Sequence, residues 1–526
     1  MRRCTGFFFC VAGVLLATAF VATLSTSAAI TKGPYIQNPS PTAVTIQWET
    51  DEPGSPPTVF FAAEETIQHA AGHLHEKVEY RQDPGDENSP VLTFYLYRAR
   101  LTDLQPGTSY RYWVKDCLPG RLVIPPDPKR LTTWPEKAER VTFIAYGDSR
   151  SHPDRHRAVA EHFNKHSPAF VLHTGDCVAN GAAYDQWGPQ FFEPLADVID
   201  HVPVLIARGN HEGGAENVLR LFDMPEGRTW FSFDYGPVHF VVLDYGKEDE
   251  GVLAWLEKDL AASKTPWKIA AYHVPTFNFG GHQSDAARTT FLPLFEKYGV
   301  DVVLTGHSHV YERFVPLRRA GDPGAQPITF ITTGGGGAPL YDITEHPLLA
   351  KTAKVLHYCL FTADAKTLRI QTFTPDGKVL DALTISKKDG QCDEAYLAQA
   401  QPMEAAILAQ GLMRVKTPVL KALPTRQQAV PLVVRATFPG LRAMVTFSVR
   451  LADASAKAYR MDPVTVRVEP GKEVKAVLEI RARGEVTTGR VDGRPVLRQP
   501  LRFTLSAESD GIRETGETGD VGYRKP

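Results

Sequence analysis

The sequence predicts an α/β domain set between two β-rich units, and three observations carry that reading. Residues 30–133 alternate apolar and polar side chains between turn signals; residues 141–386 alternate short apolar strands with helical stretches; residues 429–506 return to strand-only grammar. A chain of 526 residues also exceeds what one hydrophobic core supports, so about three units fit its length.

The N-terminus stands apart. Arg2 and Arg3 precede an apolar run from Phe7 to Leu24, and small residues follow from Ser25 to Ala29. That order predicts a signal peptide over residues 1–29 rather than a retained anchor, hence a secreted or periplasmic protein with no transmembrane segment after cleavage. Cys4 and Cys10 would leave with the signal. Cys117, Cys177, Cys359 and Cys392 remain for an oxidising compartment, and their spacing selects no pairing. With 58 basic against 60 acidic residues the formal charge is -2, which disfavours bulk nucleic-acid binding, since that needs clustered Lys and Arg. Oligomeric state is not legible.

The first unit, residues 30–135, alternates from Ala43 to Trp48 and again from Tyr95 to Leu101. Its Leu104-Gln105-Pro106-Gly107-Thr108-Ser109-Tyr110 stretch resembles the fibronectin type III corner, where a tyrosine hydroxyl bonds nearby backbone, so a fibronectin type III-like β-sandwich is expected. In the middle unit, residues 140–387, five apolar strands at 141–146, 169–173, 204–207, 268–271 and 302–304 each run into Asp, Asn or His. Open α/β sheets bind ligands at the carboxyl ends of their strands, so these ends are expected to converge on one site. Residues 388–415 read as a linker with a helix, 416–510 as a C-terminal β-sandwich, and 511–526 as a flexible tail.

The strand ends read Gly147-Asp148-Ser149-Arg150, Gly175-Asp176, Gly209-Asn210-His211-Glu212, His273 and Gly306-His307-Ser308-His309. Singly these are turns and ordinary histidines. Together they collect hard oxygen and borderline nitrogen donors of the kind that suit Zn, Mn or Fe. His307 and His309 are expected to serve one site together, with the chain leaving the strand at Gly306.

The ordered set resembles the signature of calcineurin-like metallophosphoesterases. Gly306-His307-Ser308-His309-Val310-Tyr311-Glu312-Arg313, His273-Val274-Pro275 and Gly33-Pro34-Tyr35-Ile36-Gln37 narrow the resemblance to the purple acid phosphatase branch, over residues 30–386. It implies an α/β sandwich of two mixed β-sheets flanked by helices, two metal ions and a small phosphate-ester substrate, attacked by a water between the metals. By the same resemblance Asp148 and His309 would hold the first metal, Asn210, His273 and His307 the second, and Asp176 would bridge them. His211 would serve the leaving group and His282 would contact the substrate phosphate; Arg150, two residues after Asp148, could fork onto that phosphate or form a salt bridge inside its loop.

Two departures matter. The position three residues after Asp176, a tyrosine ligand in that branch, is Ala179; the position two residues after Asp148, a histidine in other metallophosphoesterases, is Arg150. His156 is then the first replacement ligand to consider, with His152 and Tyr184 as others. Glu312 and Arg313 read as a structural pair behind the histidines, and Gly334 to Gly337 as a run that brings backbone close to the site without the context of a nucleotide loop. The incomplete first position also admits a second reading, a weakly active or inactive binding protein on this fold.

Overall fold

The computed structural model describes residues 29–53, 58–83, 85–115, 127–244, 246–322, 324–491 and 494–524; the expected signal peptide and Cys117 lie outside them. Cys177, Cys359 and Cys392 are buried free thiols. Among the described residues no helix is long and apolar enough to cross a membrane.

The first unit packs two four-stranded sheets face to face, Ile30–Gln37, Val44–Thr50, Val91–Leu101 and His73–Arg81 against Gln68–Ala71, Thr58–Ala62, Ser109–Lys115 and Lys129–Thr132. Ile46, Trp48, Val59 and Tyr112 fill the space between them. The Tyr110 hydroxyl accepts from the Gln105 amide at 2.8 Å and so closes the corner. This unit is fastened to the next by buried polar contacts. Tyr35 donates to the Leu221 carbonyl at 2.7 Å, and Gln47 Nε2 to the Arg220 carbonyl at 3.1 Å. Tyr184 also donates to Glu49, which turns its phenol away from the strand ends and removes it as a replacement ligand.

Two seven-stranded mixed sheets make the middle unit. Arg140–Tyr146, Val171–His173 and Val204–Ile206 run parallel in one, with antiparallel Tyr358–Asp364 and Thr367–Phe373 beyond them. Val238–Val242, Trp267–Ala271, Val302–Thr305 and Thr329–Thr333 run parallel in the other. Both faces of these strands are covered, as parallel sheets require. Val238, Phe240 and Val242 join the core between the sheets, where Phe143 stacks on Phe361 at 4.6 Å and meets Phe240 edge-on at 5.0 Å. Val241, Ala270 and Val303 face the opposite way, into a second core.

That second core corrects two expectations. The helix expected in residues 388–415 is present as Met403–Met413, but it is buried from Met403 to Leu412 and so is an internal strut rather than part of a linker. Around it packs the C-terminal sandwich, with Val430–Ala436 and Val474–Ala482 in one sheet and Val464–Val468, Val445–Leu451, Phe503–Ser509 and Ile512–Glu517 in the other. The expected tail is therefore largely structured. Ile512–Glu517 pairs with Phe503–Ser509, and Gly522–Tyr523 with Val419–Leu420. Its polar sequence is that of an edge strand with one solvated face.

One charged cluster sets a pH dependence. His239 lies between Asp234 Oδ1 at 2.6 Å and Asp259 Oδ2 at 2.8 Å, joining a hairpin to helix Glu250–Ala262. Burial opposes its charge, but the two carboxylates outweigh it and raise the pKa from 6.5 to about 9. A raised pKa stabilises the fold fully below the unfolded value and is lost as pH climbs through the folded one. The melting temperature should therefore fall between pH 6.5 and about 9 by an amount that His239→Gln abolishes, worth at most about 3 kcal/mol; calorimetry across that window measures it.

Candidate metal centre

In-register parallel pairing is what gathers the site. His173 lies beside Tyr146 and Ile206 in one sheet, and Ala271 beside Leu304 in the other, so the residues that follow leave the sheets at one end. Asp148, Asp176 and His307 then adopt positive φ values of +58°, +58° and +66°. Such backbone is costly for residues with a Cβ, and turns these side chains sharply off their strands onto a common point. The strand stops at Thr305, and His307 and His309 reach the cluster from the turn that follows it. Space is equally constrained: a Cβ on Gly209 would lie 2.4 Å from Asp176 Oδ1, and one on Gly306 2.5 Å from Asp148 Oδ2.

The side chains form two groups, Asp176 with His273 and His307, and Asp148 with Asp176 and His309, each with its donor atoms within 4.8 Å of one another. Asp176 belongs to both. Asn210 joins the first group, its Oδ1 lying 3.0 Å from His273 Nε2 and 2.9 Å from His307 Nδ1. Neighbouring backbone orients the rings. His273 Nδ1 meets the Thr174 carbonyl at 2.8 Å and His309 Nδ1 the Pro339 carbonyl at 2.7 Å, which leaves both Nε2 atoms free to bind a metal.

Electrostatics mark the cluster as a place that attracts cations. Burial disfavours charge on His273, yet Asp176 and Asp148 raise its pKa to about 9. Burial, and then this charged neighbour, push His307 down to about 4. Burial acts to raise Asp176, but His273 and His211 outweigh it and hold the carboxyl well below the usual range. Asp148 Oδ1 is buried with no hydrogen-bond partner among the described residues, 3.3 Å from His309 Nε2. An orphaned buried carboxylate oxygen beside an imidazole nitrogen is a donor set that fits a transition-metal ion.

His211 reaches the same cluster. Its amide donates to Asp176 Oδ1 at 2.9 Å, its Nδ1 meets the Ala179 carbonyl at 2.6 Å, and its Nε2 lies 3.8 Å from Asp176 Oδ2. Arg150 places Nε 3.5 Å from Asp176 Oδ2 and Nη2 3.4 Å from His309 Nε2. His282 is exposed, its ring 5.3 Å from that of His307.

Other expected roles are corrected. His156 is turned away, with Nε2 on the Tyr146 hydroxyl at 2.7 Å and Nδ1 on the Gln190 carbonyl at 2.9 Å, so neither nitrogen is available to complete the first group. His152 belongs to neither group. Glu312 and Arg313 are not a pair: Glu312 accepts from the Gly280 amide at 2.7 Å, while Arg313 holds Asp381 at 2.6 Å from the opposite face of the strand. The glycine run does bring backbone close to the site. A Cβ on Gly334 would meet the Ser308 carbonyl at 2.2 Å, and one on Gly336 the Gly147 carbonyl at 2.4 Å, so the run packs against the two loops that carry Asp148 and His309.

Glu212 was missed as a functional residue. It is buried and accepts from the amides of Cys177 at 2.7 Å, Gly209 at 2.7 Å and Asp176 at 2.9 Å, tying two of the loops together. Burial and the nearby Asp176 raise its pKa to about 7. An acidic side chain amid glycines at a strand end was the available signal.

Fold and cluster together define a two-sheet α/β scaffold that carries two adjoining candidate cation sites sharing one carboxylate. Residues 141–311 match the family described as Calcineurin-like phosphoesterase, and residues 33–119 that described as Purple acid Phosphatase, N-terminal domain. The chain thus carries a calcineurin-like metallophosphoesterase domain behind a purple acid phosphatase N-terminal domain. It is similar to purple acid phosphatase 15 of Arabidopsis thaliana, 25% identical over 308 residues, 47% of this chain and 55% of the relative. It is also similar to probable inactive purple acid phosphatase 1 of the same plant, 26% identical over 48% of this chain and 50% of the relative. The chain therefore spans about half the length of the curated relatives it matches. Among solved structures, a purple acid phosphatase from yellow lupin (Lupinus luteus) seeds shares the fold, with TM-score 0.56, 19% identity, and 68% and 76% of the two chains covered.

Proposed function

We propose that the protein is an exported phosphoesterase that hydrolyses small phosphate esters with two metal ions, zinc, iron or manganese. The observation that carries the reading is the membership of Asp176 in both donor groups. Asp148 and His309 would complete the first position; Asn210, His273 and His307 would complete the second. When bound, such ions supply Lewis-acid polarisation of the phosphate and make a water in the site acidic enough to act as nucleophile near neutral pH.

The chain's own residues do the rest. Arg150 presents a guanidinium beside both groups, suited to non-bridging phosphate oxygens, and His282 stands at the rim above His307. With Nδ1 donating to the Ala179 carbonyl, a proton taken up by His211 resides on Nε2, which faces Asp176. From there it passes to the departing alkoxide. His211→Ala should keep its metal and lose about a hundredfold in turnover of alkyl esters, but much less for nitrophenyl esters, whose leaving group needs no proton. A loss independent of the leaving group would assign His211 to positioning alone.

The test of the whole reading is metal analysis of the purified protein with a panel of phosphate mono- and diesters. Two ions per chain with hydrolysis of one ester class supports it; metal-replete protein that cleaves none overturns it. A second reading, a binding protein with little turnover, draws on Ala179 and Arg150 standing where related sites place a ligand, and predicts the latter outcome.

A further inference from the structure

We propose that helix Met403–Met413, which lies beyond both family matches, is a positioning element of the metal centre, acting through Gln410 and Asn278 on His282. The proposal rests on the phosphoesterase reading for its substrate. The helix, MEAAILAQGLM, has only two polar side chains besides its termini, and a buried polar group must be paired or it costs stability. Glu404 is accounted for by Arg319 at 3.2 Å and the Ala320 amide at 3.1 Å. Gln410 is fully buried and donates through Nε2 to the main-chain carbonyl of Asn278.

Asn278 is itself fully buried, and its side chain spans the loop that follows His273. Its Nδ2 lies 2.6 Å from the Gly280 carbonyl, 2.8 Å from the His282 carbonyl and 2.8 Å from Ser308 Oγ. Ser308, between the two histidines of the cluster, in turn donates to the Gly280 carbonyl at 2.7 Å. One chain of contacts therefore runs from the helix to the backbone of His282 and to the turn bearing His307 and His309. The helix has little freedom to shift. A Cβ on Gly411 would fall 2.3 Å from Phe438 Cδ1, so the helix and the C-terminal sandwich meet at backbone distance beside Gln410. His282 needs such support because its ring is exposed, and among the described residues its ring contacts are with His307 and Tyr341, at centroid distances of 5.3 and 5.2 Å.

Gln410→Met keeps the shape of the side chain and removes the donor; Gln410→Leu is the substitute if that variant does not fold. The KM for the best ester should rise about fivefold, the worth of one hydrogen bond, with kcat within about twofold and metal content unchanged. Combined with His282→Ala, Gln410→Met should add nothing to the KM of His282→Ala alone, because both act at one place. NMR of the histidine rings supplies a readout independent of metal and turnover: Gln410→Met should shift the His282 signals and leave those of His239 in place. Unshifted His282 signals, or KM effects that multiply in the double variant, overturn the proposal. If the parent protein cleaves no ester, the phosphoesterase reading fails by itself and the His282 signals decide this one.

Discussion

Asp176→Ala should empty both metal positions and reduce ester hydrolysis by about a thousandfold or more, the largest effect expected of any single side chain here. Its carboxylate is the only donor common to the two groups, and both oxygens are engaged, Oδ1 beside His273 at 3.2 Å and Oδ2 beside Arg150 at 3.5 Å. Removing it leaves Asn210, His273 and His307 without an anionic donor, and Asp148 with His309 alone. It also removes the main partner that raises His273, so the pKa of that ring should fall. The fold should survive, because the Asp176 backbone still donates to Glu212. Elemental analysis beside a melting curve separates the outcomes. A folded variant that keeps one full equivalent of metal would mean that one position does not depend on Asp176, and the bridge would be wrong.

How much of this was legible depended on where each residue stands relative to its strand. Asp148, Asp176, Asn210, His273, His307 and His309 follow strand ends in order, and parallel pairing carries that one-dimensional order into one place. His156 was misread because it sits on a helix, Pro153–Ala160, whose rotation the spacing does not specify; it turned toward Tyr146. Tyr184 depended on a partner, Glu49, contributed by the preceding sandwich. Glu312 and Arg313 could have been separated from sequence alone, since neighbours on a strand point to opposite faces. Residues 403–413 have a composition equally suited to a connector and to a buried helix, and only the surrounding sandwich decides between them. The edge strand Ile512–Glu517 hid behind its polar residues, because every second side chain faces water.

Staged chelation should strip the two metals at chelator concentrations about tenfold or more apart, the first-position ion leaving first and all turnover with it. By donor count the second position has four protein groups, Asp176, Asn210, His273 and His307, and the first has three, Asp148, Asp176 and His309. The first has one carboxylate more, which alone would favour it. Arg150 offsets that advantage: its permanent charge lies 3.5 Å from Asp176 Oδ2 and 3.4 Å from His309 Nε2, within the first group. His156 cannot make up the deficit, with both nitrogens committed, and Ala179 has no donor on its side chain. Arg150→His removes the cation and introduces a nitrogen donor at the same point. It should narrow or close the gap between the two chelation steps while raising the KM for phosphate esters, as the guanidinium no longer engages the substrate. Metal content and activity followed through one chelator titration give both numbers. Simultaneous loss of the two ions in the parent protein, or an unchanged gap in Arg150→His, would show that Arg150 does not weaken the first position.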